Sequence, residues 1–175
     1  MSGAEGEIIH RWTASVRVIN KQIPRASVRT TLTYKFFRGL SAGVEYNPRA
    51  DEVNIIANWV AWSETEKRPA VIFGTSSERI GTEGGQSFYA TVSKNLKRET
   101  GLPIAPYAGV AYGTKVDGLR PIGGLNIDFT RGFSGLVIFD GVQVHPLVNY
   151  YYGRHAVSFI MVRGKNAGLS YSISF

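Results

Sequence analysis

The strongest constraint on this chain is a period-two alternation of apolar and polar residues that recurs from one end to the other. Ile8, Trp12, Ala14, Val16 and Val18 share one face of the first segment with His10, while Arg11, Thr13, Ser15 and Arg17 share the other. The next segment sets Ala26, Val28, Leu32, Tyr34 and Phe36, with Thr30, against Ser27, Arg29, Thr31, Thr33 and Lys35. A third opposes Leu40, Ala42, Val44 and Tyr46 to Ser41, Gly43, Glu45 and Asn47, ending at Pro48. Side chains on a strand point alternately to its two faces, so each segment reads as a strand with one apolar side.

Further strands read over 53–63, 69–76, 86–95, 104–113, 119–129, 133–140, 142–152, 155–162 and 167–175. The last of these are joined by very short connections: Thr130-Arg131-Gly132, Asp140-Gly141, Gly153-Arg154 and Gly164-Lys165-Asn166. Glycine and asparagine tolerate the positive φ of tight hairpin turns, so sequential strands are expected to pair as a meander. The count is about twelve, ten if two neighbouring pairs merge, and strands of this length suit a tilted membrane crossing. An even number places both termini on one side. The fold class expected is therefore all-β, a single antiparallel up-and-down meander closed into a transmembrane barrel.

With 175 residues the chain suits one domain. Residues 1–7 read as a flexible leader and 8–175 as the barrel. The leader has neither the basic nor the apolar region of a secretory signal, so an exported protein is expected to be represented here by its mature form. The longest apolar runs fall short of the roughly 20 residues of a membrane helix, leaving strands as the only means of insertion. The absence of cysteine excludes disulfides and thiolate chemistry, and a net charge of +7 points to anionic partners.

Alternation alone does not say which solvent the apolar face meets. A soluble, lipocalin-like barrel turns it inward around a hydrophobic small molecule, whereas a membrane barrel turns it outward. In the clearest strands the opposite face holds small hydroxyl residues, glycine and a few charges of both signs, as a narrow polar lumen requires. Arg11, Arg17, Arg29, Lys35, Glu45 and Asp128 are the candidate lumen-lining residues. Trp12, Tyr34, Phe36, Tyr46, Phe129, Tyr150, Tyr171 and Phe175 lie near strand ends on the apolar face, where aromatics gather at a membrane interface.

The chain ends Gly168-Leu169-Ser170-Tyr171-Ser172-Ile173-Ser174-Phe175, alternating hydrophobics closed by a terminal aromatic. Here the sequence resembles bacterial outer-membrane β-barrel proteins, whose final strand is read by the barrel-assembly machinery. The resemblance is to the class and to no single family within it. It implies an outer-membrane location, a narrow pore or a structural and interaction role, and contact with the lipid bilayer and lipopolysaccharide, with a larger protein complex as a further partner class.

Catalytic and cofactor signals are thin, and neither a catalytic set, a metal nor a cofactor is expected. His10, His145 and His155 lack metal-ligand spacing. Ser158 stands three residues from His155, on the opposite face of a strand, so the two make no serine–histidine pair. The stretch from Gly74 to Gly85 lacks the GK[ST] ending of a phosphate cradle and reads as an exposed loop, with Glu78 and Arg79 as candidates for recognition. Basic residues are spread along many strands rather than gathered with exposed aromatics, which disfavours nucleic acid as a partner.

Overall fold

A computed structural model describes residues 10–20, 24–116 and 118–175. The expected leader lies outside the described residues. The twelve strands run β1 (Trp12–Ile19), β2 (Val28–Phe37), β3 (Leu40–Asn47), β4 (Glu52–Trp62), β5 (Ala70–Ser77), β6 (Gln86–Ser93), β7 (Ile104–Gly113), β8 (Gly118–Asp128), β9 (Phe133–Phe139), β10 (Val144–Tyr152), β11 (His155–Val162) and β12 (Asn166–Ser174). Each pairs antiparallel with its sequence neighbours, and β1 pairs with β12 to close the barrel. The all-β, closed-meander expectation is met strand for strand.

Closure is reinforced by the chain's last residue. Trp12 and Phe175 exchange backbone hydrogen bonds, each 2.9 Å long. Hydroxyls continue the seam inside: Thr13 Oγ1 lies 3.0 Å from Ser174 Oγ, and Ser15 Oγ 2.5 Å from Thr31 Oγ1 on the adjoining strand. Closure removes the unpaired edges that an open sheet of this size would expose.

The short turns follow from residues that accept positive φ. Arg131 and Gly132 turn β8 into β9, Gly141 serves β9–β10, Gly153 serves β10–β11, and Arg163 with Gly164 serves β11–β12. Even parity puts both termini at one end, the terminal end, with the connections 38–39, 63–69, 94–103, 129–132 and 153–154. The other, distal end carries 20 with 24–27, 48–51, 78–85, 114–116, 140–143 and 163–165.

Two single-turn helices interrupt the connections. α1 (Pro24–Ser27) precedes β2, and α2 (Lys97–Thr100) sits in the β6–β7 connection, ended by Gly101 at φ 74°. The alternation predicts Ala26 on the outward face of β2. Instead it is buried in α1, because the chain folds over the distal mouth before entering the strand.

Burial is inverted relative to a water-soluble domain. Among the described residues, eleven polar or charged side chains are buried against six apolar ones, of which Ile19, Ile160 and Val162 form one small cluster. The large hydrophobics face outward: Val16, Leu32, Val44, Ile55, Val110, Val148, Val157 and Leu169 are all exposed.

Candidate functional site

The polar face of the alternation becomes the barrel interior. On adjacent strands Arg17 stands directly opposite Arg29, and Glu45 lies one strand further along β3. Arg29 Nη2 meets Glu45 Oε2 at 2.5 Å, and Asn47 Nδ2 donates to Glu45 Oε1 at 3.0 Å. Glu45 is wholly buried. A carboxylate in that position is retained only with such partners, since an unpaired buried charge costs several kcal/mol.

Above this group the distal mouth is covered by α1 and the 78–85 connection, tied together by Arg25. Its Nε donates to Thr82 O at 2.8 Å, and Nη2 faces Glu78 O at 3.0 Å, Arg79 O at 2.6 Å and Thr82 Oγ1 at 2.8 Å. Glu52 Oε2 lies 3.9 Å from Arg25 Nε and its Oε1 accepts from Gly85 N at 2.9 Å. Burial lowers the Arg25 guanidinium from its ordinary value, opposed by Glu52, Glu45 and Glu78.

Glu78 turns inward rather than outward. It is 4% exposed, its Oε2 accepts from Lys115 N at 3.0 Å, and its Oε1 lies 3.8 Å from Arg120 Nη1. Arg79 is half-buried. Both were expected in an exposed loop. They fold into the mouth because Arg25, more than fifty residues away in sequence, takes the loop's carbonyl oxygens.

A second polar link closes the β9–β10 hairpin. His145 Nε2 lies 2.9 Å from Asp140 Oδ2, and His145 Nδ1 faces the Arg163 backbone N–H at 3.3 Å. An N–H pointing at Nδ1 places the ring proton on Nε2, which donates to Asp140. Burial pushes the Asp140 carboxyl up, but the bond from His145 and the amides of Gln143 and Val142 outweigh it and hold its pKa below the ordinary 3.8.

These groups surround a cavity of about 290 Å³ on the distal side of the barrel. Ser15, Arg17, Arg29, Ser76, Ser77, Ser158 and Ser170 line it together with the apolar Ile80, Ile138, Leu147 and Ile160, and with Glu78, Arg79, Asp140 and His145. A serine, a histidine and an aspartate thus line one space, a grouping invisible to sequence spacing. It is not a nucleophilic triad, because both ring nitrogens of His145 are already engaged and neither is left to accept a serine proton. His155, the histidine weighed against Ser158, faces away and bonds Tyr171 Oη at 2.6 Å.

Of the six lumen candidates, Arg17, Arg29 and Glu45 are brought together inside. Arg11, Lys35 and Asp128 instead lie exposed at the terminal rim, where the alternation continues but the wall ends. Arg11 Nη1 reaches Phe36 O at 3.4 Å. Asp128 borders a separate cavity of about 280 Å³ at the terminal mouth, shared with Asn126, Ser134 and Tyr151.

The aromatic candidates keep to the outward face. Tyr34 packs between Trp12 and Phe36, with ring centroids at 4.9 and 5.0 Å, and Tyr150 packs on Phe133 at 4.7 Å. These, with Phe129, Tyr171 and Phe175, lie in the terminal half, and Tyr46 lies near the distal edge with Phe88 and Tyr112. Sequence reasoning missed Arg25, Glu52, Asp140 and the chamber's apolar wall; nothing in their spacing announces that they converge.

No protein-family model, curated protein or solved structure matches this chain.

Proposed function

We propose that this protein is an outer-membrane β-barrel acting as a closed structural or interaction component rather than an open pore. The observation that carries the reading is the inverted burial. Apolar side chains surround the outside as a continuous belt, and a soluble domain rarely exposes an apolar patch beyond a few hundred Å². A soluble ligand-binding barrel needs its hydrophobics inside, where this chain buries Glu45, Asn47, Asn54 and Asn149.

Dimensions agree with this setting. A nine-residue strand such as β10, rising about 3.4 Å per residue and tilted about 40°, climbs about 23 Å, against an apolar band of about 25 Å in barrels of this kind. The aromatic rows near the two edges suit the headgroup levels. The closed form is favoured by the distal mouth, where Arg25 and Thr82 are buried among one another's partners.

In this reading the termini face the periplasm and the distal connections face outward, with exposed Arg49, Arg163 and Lys165 near lipopolysaccharide phosphates. The strand from Gly168 to Phe175 is the segment offered to the assembly machinery. The test is to refold the purified chain from urea with and without detergent or lipid vesicles. Protease-resistant β-structure is expected only with an amphiphile. A monodisperse folded protein in plain buffer overturns the proposal.

A further inference from the structure

The chamber beneath the distal cap has an unbalanced charge. Each carboxylate near it has a closer partner than Arg17: Glu45 pairs with Arg29 and reaches Arg17 only at longer range, Glu78 meets Lys115 N and Arg120, and Asp140 meets His145. Arg17 makes no ion pair or hydrogen bond among the described residues, and its Nε is buried. The Nε atoms of Arg29 and Arg79 are likewise buried without an acceptor on the protein.

This arrangement opposes stability. Like charges directly across two strands repel, and a guanidinium whose buried Nε lacks a hydrogen-bond partner bears part of its desolvation cost uncompensated. A smaller neutral residue at position 17 would remove both penalties. Glu45 offsets Arg17 only at longer range, so the arginine has no directly bonded acceptor on the protein and is open to an anionic partner.

The walls specify what that partner looks like. Arg17, with the Nε of Arg29 and the hydroxyls of Ser158 and Ser170, presents donors suited to a carboxylate head. Beside them, Ile80, Ile138, Leu147 and Ile160 offer only methyl and methylene surface. The volume of 290 Å³ corresponds to about ten waters at about 30 Å³ each, room for a head and a tail of roughly eight to ten non-hydrogen atoms in all.

We propose that this chamber is a binding site for a short-chain fatty carboxylate, its head on Arg17 and Arg29 and its saturated tail against Ile80, Ile138, Leu147 and Ile160. The site depends on the barrel interior alone, and so stands apart from the membrane reading: if the chain folds in plain buffer, the same titration is run there.

The experiment titrates hexanoate into the refolded full-length protein in non-ionic detergent micelles, following the arginine Nε–H resonances by NMR, so that partition into micelles gives no signal. Saturable, single-site shifts of the Arg17 and Arg29 signals are expected. Arg17→Gln, which relieves a like-charge contact and so preserves the fold, is expected to weaken binding about tenfold or more, the range for losing a hydrogen bond to a charged group. Hexan-1-ol is expected to bind at least about tenfold more weakly than hexanoate, and Ile138→Asn to weaken hexanoate while leaving acetate unchanged. Absence of saturable shifts at millimolar hexanoate, unchanged affinity in Arg17→Gln, or acetate or inorganic phosphate binding as tightly as hexanoate each overturns the assignment.

Discussion

Replacing Leu32 by arginine distinguishes a lipid-facing belt from a water-facing one. Leu32 sits midway along β2, points outward and is 39% exposed, with Ala14 and Val44 as its cross-strand neighbours. In a bilayer this position lies near the midplane, where an arginine costs about 2–4 kcal/mol. Val53 is the matched control: it is outward and 66% exposed, but lies one residue from the distal start of β4. At the interface the same change costs about 0–1 kcal/mol. The predicted gap between Leu32→Arg and Val53→Arg is therefore about 1–4 kcal/mol, roughly a 5- to 800-fold difference in the folding equilibrium. Denaturant titration of the protein folded into lipid vesicles, followed by tryptophan fluorescence, measures it. On a water-exposed surface both changes fall within about 0.5 kcal/mol. Equal, small effects at the two positions refute the belt.

Glu45→Gln is expected to cost about 3–5 kcal/mol by leaving Arg29 beside Arg17 without a counter-charge, and the double change with Arg29→Gln to recover most of that in the same titration. Arg25→Ala leaves the carbonyls of Glu78, Arg79 and Thr82 without their donor; a loss of about 3 kcal/mol and rapid proteolysis within residues 78–85 are expected, and a loop as resistant as the wild type's contradicts the cap. A Cβ at Gly74 would run into the ring of Tyr89, whose Oη bonds Asn58 Oδ1 at 3.2 Å, so Gly74→Ala should destabilise by about 1–3 kcal/mol but have little effect in a Tyr89→Ala background. Because the folded pKa of Asp140 lies below 3.8, its stabilisation is complete above that pH and is lost as pH falls through the folded value. The stability gap between wild type and Asp140→Asn should therefore be constant at neutral pH and close on the acid side; a gap that closes toward alkaline pH contradicts the assignment.

The strands, a count of about twelve or ten, their meander and the contrast between faces were legible along the chain, because each depends on local properties: a two-residue period, glycine at positive φ, turns too short for a crossover. Arg17, Arg29 and Glu45 were legible as one polar face for the same reason. The exposure of Arg11, Lys35 and Asp128 was not, since alternation gives a residue's face but not its height on the wall. The rest depends on contacts between separate segments of the chain. Glu78 and Arg79 sit in a glycine-rich polar stretch that locally resembles any exposed loop, and turn inward only because Arg25 arrives from the first connection to bind their carbonyls. Asp140 meets His145 through hairpin geometry, and Arg17 faces Arg29 through register. A site made from several strands of a closed barrel is fixed by which residues stand opposite one another, and that depends on pairing across the sheet rather than on spacing along the chain.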